Sequence, residues 1–96
     1  MSVRVTLNCH VKPELYKDLV PFLEDNLPNV RGFRGNRRVS VLYDQGSAEM
    51  LLDEEWASID SHQSYLAFID GNGVLAKLAS FLKTPPQIKY FSHLDI

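Results

Sequence analysis

Apolar and polar residues alternate strictly at the start of the chain. Val3, Val5, Leu7, Cys9 and Val11 fall on one face, and Arg4, Thr6, Asn8 and His10 on the other. A period of two makes this segment a strand with one apolar side. Lys12-Pro13-Glu14 breaks the alternation. Proline suits the first turn of a helix, where its missing N–H costs nothing, and Glu14 suits the positive end of the helix dipole. Leu15, Leu19, Phe22, Leu23 and Leu27 then recur at helical spacing and predict one buried stripe. Pro21 removes the bond to the carbonyl of Lys17, which predicts a bend, and the helix is expected to end before Pro28. Gly32 and Gly35 bracket a turn.

Residues 37–44 and 48–56 read as two strands joined by the turn-forming run Asp44-Gln45-Gly46-Ser47, hence an antiparallel hairpin. The first carries Val39, Val41 and Tyr43 on one face; the second carries Met50, Leu52, Glu54 and Trp56. A second helix is expected to start at Asp60 as N-cap, with Gln63 as its capping-box partner. Tyr65, Leu66, Phe68 and Ile69 follow, and Asp70-Gly71-Asn72-Gly73 interrupts the helix before a second stripe of Val74, Leu75, Leu78, Ala79 and Leu82. Pro85-Pro86 stops it, and residues 87–96 alternate as a last strand with Ile88, Tyr90, Ser92, Leu94 and Ile96 on one face.

The order is β-α-β-β-α-β, a ferredoxin-like α+β arrangement: a four-stranded antiparallel sheet with helices on one face. Residues 1–96 form a single domain, with no repeat, linker or low-complexity segment. The sheet face bearing Thr6, Asn8 and His10 has no cover from the chain itself, so it meets either water or a second subunit.

Composition narrows the function classes. The chain is 45% hydrophobic and 23% charged, with a net charge of −2, which lacks the basic field of a nucleic-acid or anionic-membrane binder. Its single cysteine rules out an intramolecular disulfide. The first residues lack the apolar core of a signal peptide, and no apolar run reaches the roughly 18 residues of a membrane span, so a cytoplasmic location is expected. No zinc-ligand spacing or phosphate loop occurs, and Asp70-Gly71-Asn72-Gly73 lacks the ligand pattern of a calcium loop. An RNA-recognition module would need an aromatic and basic third strand, whereas this one reads Glu49-Met50-Leu51-Leu52-Asp53-Glu54-Glu55.

Three short motifs, Val11-Lys12-Pro13, Glu54-Glu55-Trp56 and Tyr65-Leu66-Ala67, together with the Pro-Pro after the last helix, resemble the antibiotic biosynthesis monooxygenase family in order and spacing. The resemblance runs from about Val3 to Asp95. It implies a dimeric α/β barrel, in which the open sheet faces of a homodimer cover each other. Members of that family include oxygenases that use no cofactor on aromatic, polyketide-like substrates, haem-degrading enzymes, and proteins of unknown activity. Many members carry a histidine where this chain has Tyr65, so roles of that histidine, haem ligation included, do not transfer.

The candidate site follows from the strand and helix faces. Glu54 and Trp56 are two apart on a strand and share the apolar face. A carboxylate there would be desolvated and its pKa raised, as a general base near neutral pH requires. The plainer reading places Glu54 at a wet strand end, solvated or paired with Arg37 or Arg38. Trp56 reads as the wall of an aromatic-ligand cavity, its indole N–H orienting a substrate oxygen, or as a core anchor. His62 and Tyr65, three apart, share one helix face. His62 near the helix N-terminus would be held neutral, able to take a proton; otherwise it faces water, and Tyr65 packs with its hydroxyl exposed. Phe33, Leu52 and Phe68 are expected as apolar substrate-binding walls. Asn8 and His10 point to a partner sheet, and His93 to the surface.

Two functions from different classes fit these residues. One is a small monooxygenase without cofactor, acting on an aromatic or quinol-type substrate, with Glu54 or His62 as base and Trp56 and Tyr65 positioning. The other is a non-catalytic ligand-binding or sensor dimer on the same fold, with haem breakdown a third possibility.

Overall fold

The computed structural model describes residues 2–96. Its elements are β1 (Val3–His10), a 3-10 turn (Pro13–Leu15), α1 (Tyr16–Arg31), β2 (Asn36–Asp44), β3 (Glu49–Trp56), α2 (Ile59–Gly71), α3 (Val74–Ser80) and β4 (Gln87–Ser92). The sheet order is β2-β3-β1-β4, with every neighbouring pair antiparallel. This is the ferredoxin-like α+β arrangement that the alternating and helical periods predict. Val3, Val5, Leu7 and Cys9 of β1 meet Met50, Leu52 and Trp56 of β3 in one core, which Leu19 and Val30 of α1 and Leu78 of α3 close from the helical side.

Four boundaries differ from the sequence expectations, each for a local reason. α1 runs through both Pro21 and Pro28 instead of ending before Pro28. Each proline removes one backbone donor, but stopping early would strip the buried Val30 from the core, and the closing turn uses the carbonyls of Pro28 and Val30 as acceptors. α2 is capped by Ser58, not Asp60: its extended backbone lets the Ser58 Oγ accept the Ser61 N–H at 3.1 Å. The second hairpin strand starts at Glu49, because Ala48 takes a positive φ of 59° in the turn. β4 stops at Ser92, which pairs with Val3, the first residue of β1; residues 93–96 have no strand left to pair with.

Gly35 ties the turn before β2 to the start of α2. Its φ is +92°, its carbonyl accepts the Ala57 N–H at 2.7 Å, and a Cβ there would lie 2.5 Å from the Ser61 Oγ. Only glycine permits both that dihedral and that approach. The junction sets β3's last residue, Trp56, beside the first turn of α2, which carries His62.

The face away from the helices is polar at its centre. Arg4 grips Asp53 with two hydrogen bonds, Nε to Oδ1 at 2.6 Å and Nη2 to Oδ2 at 2.7 Å, and Arg38 adds a second cation 3.3 Å from the same carboxylate. Asn8 donates to Glu49 at 2.5 Å. Leu42 and Phe91 flank this centre, about half exposed at 52% and 49%.

Candidate functional site

Glu54 and Trp56 point towards the helices, as the two-residue period predicts. Glu54 is 4% exposed and Trp56 fully buried. The wet-end reading of Glu54 therefore fails, and so does its pairing with arginine, because Arg38 goes to Asp53 on the opposite face. The Glu54 carboxylate instead accepts the Trp56 indole N–H at 2.8 Å. Burial pushes the Glu54 pKa above its ordinary 4.5; the indole bond opposes this and the nearby Asp53 charge adds to it.

His62 is 1% exposed, which removes the reading that sends it to solvent. Its Nδ1 lies 2.8 Å from the Tyr90 hydroxyl and its Nε2 3.9 Å from Glu54 Oε1. The ring sits edge-on between Trp56 and Tyr90, with centroids 5.4 Å from each. Burial lowers its pKa to about 4, so the expected neutral imidazole is present, but desolvation rather than the helix end is the cause. Tyr65 is half-buried, and its phenol is pushed up to about 12 by burial and then by the Glu54 charge. Cys9, fully buried on the same inward face in the neighbouring strand β1, is raised to about 12 by burial and then by the same carboxylate.

Glu54, His62, Tyr65 and Leu52 line a narrow cavity of about 60 Å³ between the sheet and the helices, with Leu7 and Leu78 among its apolar walls. A second, open groove of about 490 Å³ lies outside it, lined by Asn29, Phe33, Tyr65, Phe68 and Asn72 among others. Asn26, Tyr65, Ile69 and Val74 belong to both and form the partition. The inner space holds only a few waters, whereas pockets for drug-sized ligands run to about 300–1,000 Å³. A ring-bearing ligand that reaches Glu54 must therefore widen that space.

Three expected walls are placed differently. Trp56 does not line the inner cavity, since Phe33 packs across it with centroids 6.2 Å apart, and its N–H is taken by Glu54. Phe33 and Phe68 line the outer groove instead, tilted against each other with centroids 5.6 Å apart, Phe68 being 56% exposed. Phe33 also meets Tyr65 at 5.2 Å, so these aromatics join the groove to the partition. Leu52 alone of the expected apolar walls lines the inner cavity. In the sequence the one signal for Tyr90 is the inward face it shares with Ile88, and nothing local reveals a partner 28 residues away.

The buried neutral histidine has a thermodynamic consequence. An unfolded chain takes up a proton at the ordinary histidine pKa of 6.5, but the folded one resists until about 4. The unfolded state then binds more protons in that window, so stability falls as pH drops through it, by up to about 3 kcal/mol. Glu54 acts in the opposite sense, its raised pKa costing stability as pH rises above 4.5. Denaturant melts from pH 6.5 to 4 should therefore show wild type losing stability relative to His62→Gln, which keeps Glu54 and removes the titrating ring.

No family model matches the sequence, and no curated protein does. Solved structures do match over nearly the whole chain. A conserved protein from Methanosarcina mazei Go1 superposes with a TM-score of 0.87 at 16% identity, covering 98% of this chain and 94% of that one. A Bordetella bronchiseptica protein assigned by name to the antibiotic biosynthesis monooxygenases gives 0.84 at 16% identity, with 97% of each chain covered. A Streptomyces coelicolor monooxygenase, solved in complex with nanaomycin D, gives 0.80 at 14% identity over 99% of this chain and 89% of that one. The likeness to the antibiotic biosynthesis monooxygenases read from the three motifs thus holds across the fold.

Proposed function

We propose that this chain is a small monooxygenase that oxidises an aromatic or quinol-type substrate without a cofactor, between the sheet and the helices. One observation carries the reading: a buried carboxyl with no cationic partner among the described residues, Glu54, opens onto an apolar cavity. Burying such a group is costly, and its raised pKa suits a base that works near neutral pH. Glu54 takes the proton of a phenolic O–H. The resulting anion gives one electron to dioxygen, and the substrate radical and superoxide then combine through a new C–O bond. The peroxide anion takes the proton back from Glu54. Loss of water with the hydrogen on the same carbon then leaves one oxygen atom in the product as a carbonyl and the other in water, with the Glu54 carboxylate restored. The Tyr65 hydroxyl, held protonated, donates to a substrate oxygen from the partition. The name of the Streptomyces coelicolor structure, a monooxygenase in complex with the ligand nanaomycin D, supports this reading.

Oxygen-electrode assays of purified protein on quinols and anthrones test it. Uptake that disappears without protein and falls in Tyr65→Phe is expected. Tight binding of such compounds with no uptake would replace the proposal by the ligand-binding or sensor alternative, and a haemin titration with a Soret shift would favour haem breakdown.

The chain would work as a homodimer, with the open sheet faces meeting. Half-exposed Leu42 and Phe91 beside the Arg4–Asp53 pair support this, because exposed apolar residues around a paired polar centre suit a self-complementary contact. Light scattering at micromolar concentration should give about 22 kDa, twice the 10.9 kDa chain, and a stable monomer would overturn the dimer. Among the described residues no helix is long and apolar enough to cross a membrane.

A further inference from the structure

The hydrogen-bond directions around Glu54 follow from the one donor that has no choice. An indole nitrogen only donates, so Glu54 Oε1, 2.8 Å from Trp56 Nε1, is an acceptor. His62 Nε2 faces that same oxygen at 3.9 Å. A bare ring nitrogen there would set lone pair against lone pair in a water-poor pocket, so Nε2 carries the hydrogen. A neutral imidazole has a single N–H, which leaves Nδ1 bare. The Tyr90 hydroxyl, 2.8 Å from Nδ1, is therefore the donor in that bond.

We propose that Tyr90 is a positioning residue acting through His62: it fixes the imidazole as the Nε2–H form, which turns its N–H towards Glu54 Oε1, the oxygen that Trp56 holds, and leaves Oε2 as the basic atom. This deepens the monooxygenase reading and rests on it for the role of Glu54 as base. It also separates the two candidate bases. His62 has Nδ1 occupied by Tyr90 and Nε2 already protonated, so it has no site for a substrate proton. Glu54 Oε2 has no hydrogen-bond partner among the described residues, and Glu54 lines the cavity.

Among the described residues, no charge around Glu54 would impose another arrangement. β1 presents Cys9, α2 presents His62 and Tyr65, β4 presents Tyr90, β2 places Val39 opposite in register, and α1 contributes the neutral Asn26 to the cavity. The nearest charge on its own strand is Asp53, which points to the other face and is held by Arg4 and Arg38. Tyr90 lies half-buried on the edge strand β4, paired with Val5 of β1, so the hydroxyl can be removed with little disturbance of the core.

Nitrogen-15 NMR of the histidine rings at neutral pH tests the proposal without any substrate. The His62 signals are identified by their loss in His62→Gln, since His10 and His93 are exposed. In wild type His62 should be found as the Nε2–H form. In Tyr90→Phe the ratio of Nε2–H to Nδ1–H should fall by roughly fivefold or more, the worth of one hydrogen bond. The carbon-13 titration midpoint of the Glu54 carboxyl should move up, because the N–H dipole that faces the carboxylate from 3.9 Å turns away. A dominant Nδ1–H form in wild type would overturn the proposal, and so would an unchanged ratio and midpoint in Tyr90→Phe. If Tyr90→Phe does not fold, the wild-type tautomer still decides. Where an oxidisable substrate is found, the acid limb of the kcat profile should shift to higher pH in Tyr90→Phe. Absence of turnover on every substrate defeats the monooxygenase reading and leaves the tautomer result standing.

Discussion

Glu54→Gln should lower substrate-dependent oxygen uptake by about 10²–10⁴-fold, the usual contribution of a positioned general base. The amide has nearly the same shape, and its oxygen can still accept the Trp56 N–H, so the 2.8 Å bond is kept while the proton acceptor is lost. The same replacement relieves the cost of burying an ionisable group that is 4% exposed, so its melting temperature should hold or rise. That combination of an intact fold and a dead reaction distinguishes lost chemistry from lost structure. Uptake at the wild-type rate in a folded Glu54→Gln protein would end the assignment of Glu54 as base.

Trp56→Ala should cost about 3–5 kcal/mol, a large part of the 5–15 kcal/mol typical of a whole domain. Trp56 is fully buried and meets Phe33, His62 and Tyr65, with centroids 6.2, 5.4 and 5.4 Å away. An alanine there leaves three rings without their common neighbour, and thermal or urea unfolding should show much of the population unfolded near physiological temperature. Trp56→Phe separates packing from chemistry. It keeps most of the volume but deletes the indole N–H, the influence that pulls the Glu54 pKa down. Glu54 should then titrate higher than in wild type, while the stability loss stays well below that of alanine. A Trp56→Ala protein as stable as wild type would show that the aromatic cluster contributes little to the fold.

The periods of two and 3.6 carried most of the architecture, because burial on one face leaves a regular trace in the chain. They placed Glu54 and Trp56 on the inward face and His62 and Tyr65 on one side of a helix. Boundaries were less legible. Pro28 reads as a stop locally, yet Val30 beyond it is core, and only tertiary packing says so. The end of β4 depends on where β1 begins, a fact written in another part of the chain. Within the site, the burial of Glu54 was visible as an expectation, but its choice of Trp56 over an arginine was not. Side chains two apart on a strand can bond each other or look past each other, and rotamers decide. The division into inner cavity and outer groove was hidden for the same reason, since Phe33 lies in the turn between α1 and β2, where no period constrains its direction. Tyr90 and His62 meet only through the placement of β4 beside β1.

Cys9 gives the site one more property. The oxidation proposed above would pass through superoxide and a peroxide, and the chain's single thiol, Cys9, lies on the same inward face of the sheet as Glu54. Held near a pKa of about 12, that thiol is present as thiolate in only about one part in 10⁵ at neutral pH, and thiolate is the form that oxidants attack. The carboxylate proposed to start the oxidation is also one of the causes that keep this sulfur protonated. Fast reaction of Cys9 with an alkylating agent would then report that the whole domain has opened, which makes the residue a built-in clock for unfolding.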